Sequence, residues 1–401
     1  MPQIRLTCDV RAPIETVYQA FTNATALREW MCDVATFIPS PEGRVYFWWP
    51  SGFYACGTVL SAEPHFHLAY SWLGKGNPAS SMVEIYLKAG RHATHVTLVQ
   101  KGMGRSETWQ RICREMEEGW KKGLENLISV LETGIDLRIA RRPMMGVVLS
   151  DFNADIAAAL GIPVHHGVRL EDAREGFGAF DAGLRKNDVL VQMGDTPIQG
   201  YDSLGAAIQG YQAGDEIEIK FYRGSELLTT QMVFSARKMP EAPATLVELV
   251  EAVKKIKTET RAGLLDLLRD VTDAEAAFKP AENEWSIKEI ICHLIHVERD
   301  ILAISNDILS VQEKVSDGFA DNNMARILAT LAAHPTLPEL LDAFAKSELE
   351  TIIYLDNLPP HFIARKAGYY RVAIMALDLP SHTQSHFDQI KANLELARAA
   401  R

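Results

Sequence analysis

His382 and His386 stand four residues apart in SHTQSHFDQI, and His293 lies far upstream in EWSIKEIICHLIHVE. Neutral imidazole suits zinc, nickel and similar borderline ions. On a helix, residues at i and i+4 project from one face, so these two rings are spaced to meet one ion. A third imidazole from a neighbouring helix would complete a three-histidine face, with positions left open for water or substrate. The same HxxxH spacing also describes two half-buried histidines that bind nothing. The elements that carry the three rings must decide between these readings.

The segment SARKMPEAPA, with two prolines between a strand pattern and a helix pattern, reads as a boundary. From Thr245 onward the periodicity is helical, with Leu246, Val250, Val253, Ile256, Leu264 and Leu267 on one stripe. Ser286 followed by Glu289 is a capping box for the helix that carries His293. A third helix is expected within residues 316–335 and a fourth in PELLDAFAKSELETIIYLDNL. Pro380 is expected to precede the last helix, which carries His382 and His386. An irregular connection falls near residues 313–325 of an otherwise all-α bundle.

EWSIKEIICHLIHVE and SHTQSHFDQI, with the helices between them, resemble the DinB-like superfamily over residues 245–401. That superfamily includes metal-dependent transferases of small thiols. The resemblance implies a four-helix bundle, a divalent cofactor (zinc or nickel) and His293, His382 and His386 as its ligands. His296, at i+3 from His293, is a rival ligand or a neighbour of the site. Glu298 and Gln389 are candidates to orient the ligands by hydrogen bonds. A homodimer paired through helices is a further expectation from the resemblance.

The first 136 residues read differently. Ile4, Leu6, Cys8 and Val10 alternate with polar residues, as in a half-buried strand. Pro13 opens one short helix and TALREWM is a second; five strand-like runs follow, then a long amphipathic helix from Trp109 to Leu131 that stops at Gly134. This order, with VRAPIETVYQAFTNATALREWM and EEGWKKGLENLISVLETG, resembles the START-like (SRPBCC) superfamily, in its branch related to activators of the heat-shock protein 90 ATPase. The implied helix-grip fold encloses an apolar cavity for an apolar small molecule. Trp48, Trp49, Phe53, Tyr70, Trp72, Tyr86, Trp109 and Trp120 are its candidate liners, although any single one of these rings is more often a filler of the core. His65, His67, His92 and His95 are expected at the surface.

Between these segments, residues 143–238 show short strands and glycine turns. AGLRKNDVLVQMGDTPI resembles the PDZ domains of HtrA-type proteases, except that Asn187 stands where glycine is usual. The resemblance implies a partial β-barrel that adds an extended peptide or protein C-terminus to a sheet edge. The edge would run from Gly146 to Leu149 and the facing helix from Ser203 to Gln209. Amides near Met145 and Gly146 would take the carboxylate, with Val147, Val148, Leu204 and Ile208 beside the peptide. No GxSxG or GNSGG segment occurs, so proteolysis is not expected.

The net charge of −11 argues against nucleic acid or an anionic membrane as partner. Five scattered cysteines without CxxC spacing fit reduced thiols in a cytoplasmic protein. The whole reads as a multidomain α+β protein with domains at 1–136, 143–238 and 245–401. Two functions compete: a metal-dependent thiol transferase, and a non-catalytic adaptor, sensor or chaperone-like binding protein.

Overall fold

The computed structural model describes residues 2–237, 239–312 and 324–400. The chain is a multidomain α+β protein made of two compact units, residues 1–135 with 240–401, and residues 136–239. The irregular connection and the first half of the third helix expected from the sequence lie largely outside the described residues.

In the first segment, β1 (Ile4–Val10), α1 (Ile14–Thr22) and α2 (Ala24–Trp30) precede β2 (Val34–Phe37), β3 (Arg44–Trp48), β4 (Tyr54–Glu63), β5 (His67–Gly74), β6 (Ser81–Ala89), β7 (Thr94–Lys101) and α3 (Glu107–Thr133). The strands form one antiparallel sheet in the order β1-β7-β6-β5-β4-β3-β2. The apolar stripe of α3 supplies Trp109, Ile112, Trp120, Leu124, Leu127 and Val130 to a core shared with Phe47, Ile85 and Leu98 of the sheet. Ser106 caps α3 by accepting from the Trp109 amide. Gly134 ends it at φ +84, a left-handed conformation that favours glycine.

The second unit contains α4 (Leu137–Ala140), β8 (Val147–Ser150), α5 (Ala154–Leu160), β9 (Val168–Ala173), α6 (Gly178–Asp181), β10 (Val189–Met193), β11 (Thr196–Pro197), α7 (Tyr201–Ile208), β12 (Glu216–Arg223) and β13 (Glu226–Val233). Its sheet runs β13-β12-β10-β9-β8, with β11 paired to β10, so β8 ends the order. Asn187, the departure from glycine, sits at φ 69. Asparagine tolerates that region better than most side chains, which explains the exchange. Beside it, buried Asp188 accepts two bonds from Arg223 at 2.8 Å each.

The helical segment comprises α8 (Leu246–Leu267), α9 (Asp273–Ala277), α10 (Ile287–Leu309), α11 (Met324–Ala333), α12 (Leu337–Asp356), α13 (Lys366–Ser385) and α14 (Phe387–Ala399). The Ser286–Glu289 capping box forms, with the Ser286 amide donating to the Glu289 carboxylate at 2.7 Å. Thr245, Thr272 and Thr336 start α8, α9 and α12 with boxes of the same kind. One expectation fails: Pro380 does not begin a helix but lies inside α13, which starts at Lys366. Residues on both sides of Pro380 are buried, and that burial carries the helix past the missing amide.

The first segment and the bundle pack within one unit. Ala367 of α13 joins the core beneath α3. A side chain at Gly134 would meet the Lys366 carbonyl at 2.5 Å. The bundle also buries an ion pair: Lys257 binds Glu298, both side chains 2% exposed, and Thr351 donates to Glu298 at 2.6 Å. Arg261 reaches Glu348 at 2.9 Å, while burial pushes the Glu348 carboxyl up to about 7. Removing one member of a buried pair strands the other charge. Lys257→Met should therefore cost about 3–5 kcal/mol in urea denaturation. Adding Glu298→Leu should recover most of that loss; equal losses in the single and double variants would show that the charge pairing is not what matters.

Candidate metal centre

His293 lies two turns into α10, His382 in the last turn of α13, and His386 at the junction of α13 and α14. His386 keeps a helical backbone, φ −81 and ψ −9, so the i, i+4 relation survives the junction. The three rings converge: one nitrogen from each lies within 4.8 Å of the others. The Nε2 atoms of His293 and His382 are 3.4 Å apart. Two nitrogens bound tetrahedrally at about 2.0–2.1 Å from one zinc ion would stand about 3.4 Å apart.

Neighbouring groups set the tautomers and charge. His386 Nδ1 pairs with Gln389 Oε1 at 2.9 Å, where the ring must donate to the carbonyl oxygen. That leaves the lone pair on His386 Nε2, a buried atom with no hydrogen-bond partner. His382 Nδ1 is likewise buried without a partner. Burial, then the charges of His382, His386 and His296, pushes His293 down to about 4. Burial and His386 also lower His382. Neutral rings with a spare lone pair are what a divalent ion requires. Trp285 packs its indole 5.0 Å from the His293 ring, and Asn393 holds the Trp285 carbonyl at 2.7 Å.

Two neighbours expected from the sequence serve elsewhere. His296 pairs with Thr330 at 3.1 Å and lies outside the convergent set. Glu298 is consumed by Lys257 and Thr351 and orients no histidine. Of the two candidates for orienting the histidines, Gln389 is the one in contact with one of them.

Three family models match the chain: Activator of Hsp90 ATPase homolog 1-like protein over residues 11–132, PDZ domain over 143–232, and DinB superfamily over 258–390. The chain carries all three domains. Among curated proteins it is similar to the periplasmic pH-dependent serine endoprotease DegQ of Escherichia coli (strain K12), 21% identical over 113 residues, which are 28% of this chain and 25% of that protein. It is also similar to the serine protease Do-like HtrA of Lactococcus lactis subsp. cremoris (strain MG1363), 30% identical over 115 residues, 27% of this chain and 28% of that one. The chain thus spans about a quarter of the length of these relatives. Solved structures with some likeness include the Aha1 dimer from Colwellia psychrerythraea, at 18% identity and TM-score 0.29, covering 33% of this chain and 97% of that one. Another is an HSP90 activator from Plasmodium falciparum, at 18% identity and TM-score 0.29, covering 32% and 96%.

In the PDZ domain, Gly146 adopts φ +77, and a side chain there would strike the Phe177 Cβ at 2.0 Å. Val147 and Val148 lie on β8, while buried Leu204 and partly buried Ile208 lie on α7; Val147 and Ile208 pack on the same core, which includes Met145. In the first domain a cavity of about 420 Å³ is lined by Trp49, Phe53, Trp72 and Trp120 of the eight expected rings. Trp30, Met31 and Met116 join them unforeseen. Trp48, Tyr70, Tyr86 and Trp109 do not line it. Trp48 occupies the half-buried phase of β3, opposite Val45 and Phe47; Tyr70 and Trp109 fill the core; Tyr86 is 43% exposed and stacks on His67.

The three-histidine cluster makes a direct prediction. After expression with zinc and nickel supplied, elemental analysis should find one divalent ion per chain, lost in His293→Ala and His386→Ala and kept in His296→Ala. Gln389→Ala should weaken binding about tenfold, as expected for a residue that orients a ligand. A metal-free wild type would sink the assignment.

Proposed function

We propose that His293, His382 and His386 hold a divalent ion, zinc or nickel, and that the protein is a metal-dependent transferase acting through the sulfur of a small thiol. The observation that carries this reading is the unpartnered, buried Nε2 of His386 beside the converging rings of His293 and His382. An ion bound there supplies positive charge that favours the deprotonated thiol at neutral pH. The chain's own contribution is to keep the three rings oriented, with Gln389 fixing one tautomer. No carboxylate or cysteine joins the three rings among the described residues, which leaves the remaining positions for water or a thiolate. Five free cysteines support a reducing, cytoplasmic setting.

With metal-loaded protein, a panel of small thiols and an aryl halide electrophile should give turnover that His386→Ala abolishes. A stoichiometric ion with no turnover of any thiol would overturn the transferase and favour the second reading.

That second reading is a non-catalytic adaptor, with the ion as a sensor or a staple. It is favoured by two binding features outside the bundle. The open edge of β8 is suited to take an extended C-terminal peptide, and the cavity of the first domain to take an apolar small molecule. A random C-terminal peptide library should enrich on the full chain. Ile208→Glu should weaken the enriched peptides at least tenfold without changing the circular dichroism. No enrichment on wild type would remove the peptide role.

A further inference from the structure

We infer that the cavity of the first domain takes a small planar aromatic molecule carrying an anionic hydrogen-bond acceptor, which meets the indole N–H of Trp72. This rests on reading that domain as a module for an apolar small molecule, and it specifies what the molecule must present.

Four tryptophans line the cavity, and their N–H groups have different fates. Trp30 donates to the Ala20 carbonyl at 2.8 Å, Trp49 to the Met31 carbonyl at 2.6 Å, and Trp120 to Gln100 Oε1 at 2.8 Å. Trp72, only 5% exposed, has a buried Nε1 with no partner. Asn77, also in the lining, buries its Nδ2 without a partner. Buried donors are normally satisfied, and both groups here are donors. The missing complement is therefore an acceptor.

The charge at the cavity points the same way. Arg111 and Glu115 bind each other at 2.9 Å and cancel. Lys75, exposed in the same lining, donates to the Gly52 carbonyl at 3.0 Å and has no carboxylate partner among the described residues. One uncompensated ammonium makes a carboxylate or phenolate the fitting acceptor.

The walls select flat rings. Trp49 meets Phe53 at 5.4 Å and 45°, and Trp72 meets Trp120 at 5.5 Å and 52°. These tilted faces and edges offer an aromatic guest the offset and edge-to-face contacts that rings prefer, and an alkyl chain cannot use them. A volume of about 420 Å³ falls in the range of small-molecule sites.

The test uses the full chain with three probes, 1-naphthoate, naphthalene and decanoate, followed by tryptophan fluorescence and calorimetry. Naphthoate should bind one to one and at least tenfold tighter than either other probe. Trp72→Phe, which keeps an aromatic wall and removes the N–H, should cut naphthoate affinity about tenfold and leave naphthalene unchanged. A melting temperature no lower than wild type will show that this variant is folded. Decanoate binding as tightly as naphthoate would overturn the planar requirement. Equal affinities for naphthoate and naphthalene, or an unaffected Trp72→Phe, would overturn the acceptor. If none of the probes binds, the ligand-binding reading of the domain fails and this inference falls with it.

Discussion

The three-histidine cluster depends on α13 running unbroken through Pro380. Proline in a helix interior costs about 3 kcal/mol, because it removes a donor and clashes with the carbonyl four residues back. Tyr369, Val372, Ala373 and Ala376 are buried before it, and Leu379, Pro380 and Thr383 are buried around it. Burial of several such side chains, at roughly 1.5–3 kcal/mol for each large apolar one, outweighs that cost. Had the helix ended at Pro380, His382 and His386 would hang on a separate element. Their distance to His293 would then be set by a loop. The other end of α13 is also fixed, since Ala367 lies in the core of the first domain and Gly134 admits the Lys366 backbone at close range. The helix that presents two of the rings is thus anchored by packing at one end and through its own buried middle at the other.

Electrostatics imposes a matching rule on the bundle interior. Charge is tolerated there as an opposed pair, Lys257 with Glu298. The imidazoles are accommodated in another way: burial, and then the charge of neighbouring imidazoles, lowers His293 and His382, so those rings enter the interior uncharged. Neutrality removes the desolvation penalty and leaves lone pairs available. What holds the rings in the core and what would suit them to an ion are the same property.

Much of this was legible in the sequence. The strand alternation of Ile4 to Val10, the stripe of α3 with its stop at Gly134, and the Ser286–Glu289 box were each written in local spacing. The same T-x-x-E signal stands at Thr245, Thr272 and Thr336. Convergence of His293 on His382 and His386 followed from helical spacing combined with a family resemblance. The continuation of α13 through Pro380 was not legible, because it depends on burial by distant residues. The cavity lining was half legible. Aromatic content identified the region, but the strand phase that turns Trp48 away and admits Trp49 depends on pairing to β2 and β4.

The angular arithmetic of α10 explains why two near neighbours of His293 stand apart from it. At about 100° per residue, His296 is rotated about 60° from His293, and Glu298 about 140°. Nearly every residue from Ile287 to Glu298 is buried, so each direction meets a different neighbour. His293 faces His382 on α13, His296 faces Thr330 on α11, and Glu298 faces Lys257 on α8 and Thr351 on α12. A helix surrounded on all sides sorts its polar residues by direction. Proximity in sequence to a ligand therefore says little about membership of its site. Gln389 stands one turn beyond His386, at i+3, with its side chain folded back onto that ring. His296 stands at the same i+3 spacing from His293, so spacing permits such a contact without dictating it: Gln389 turns to His386, while His296 is taken by Thr330.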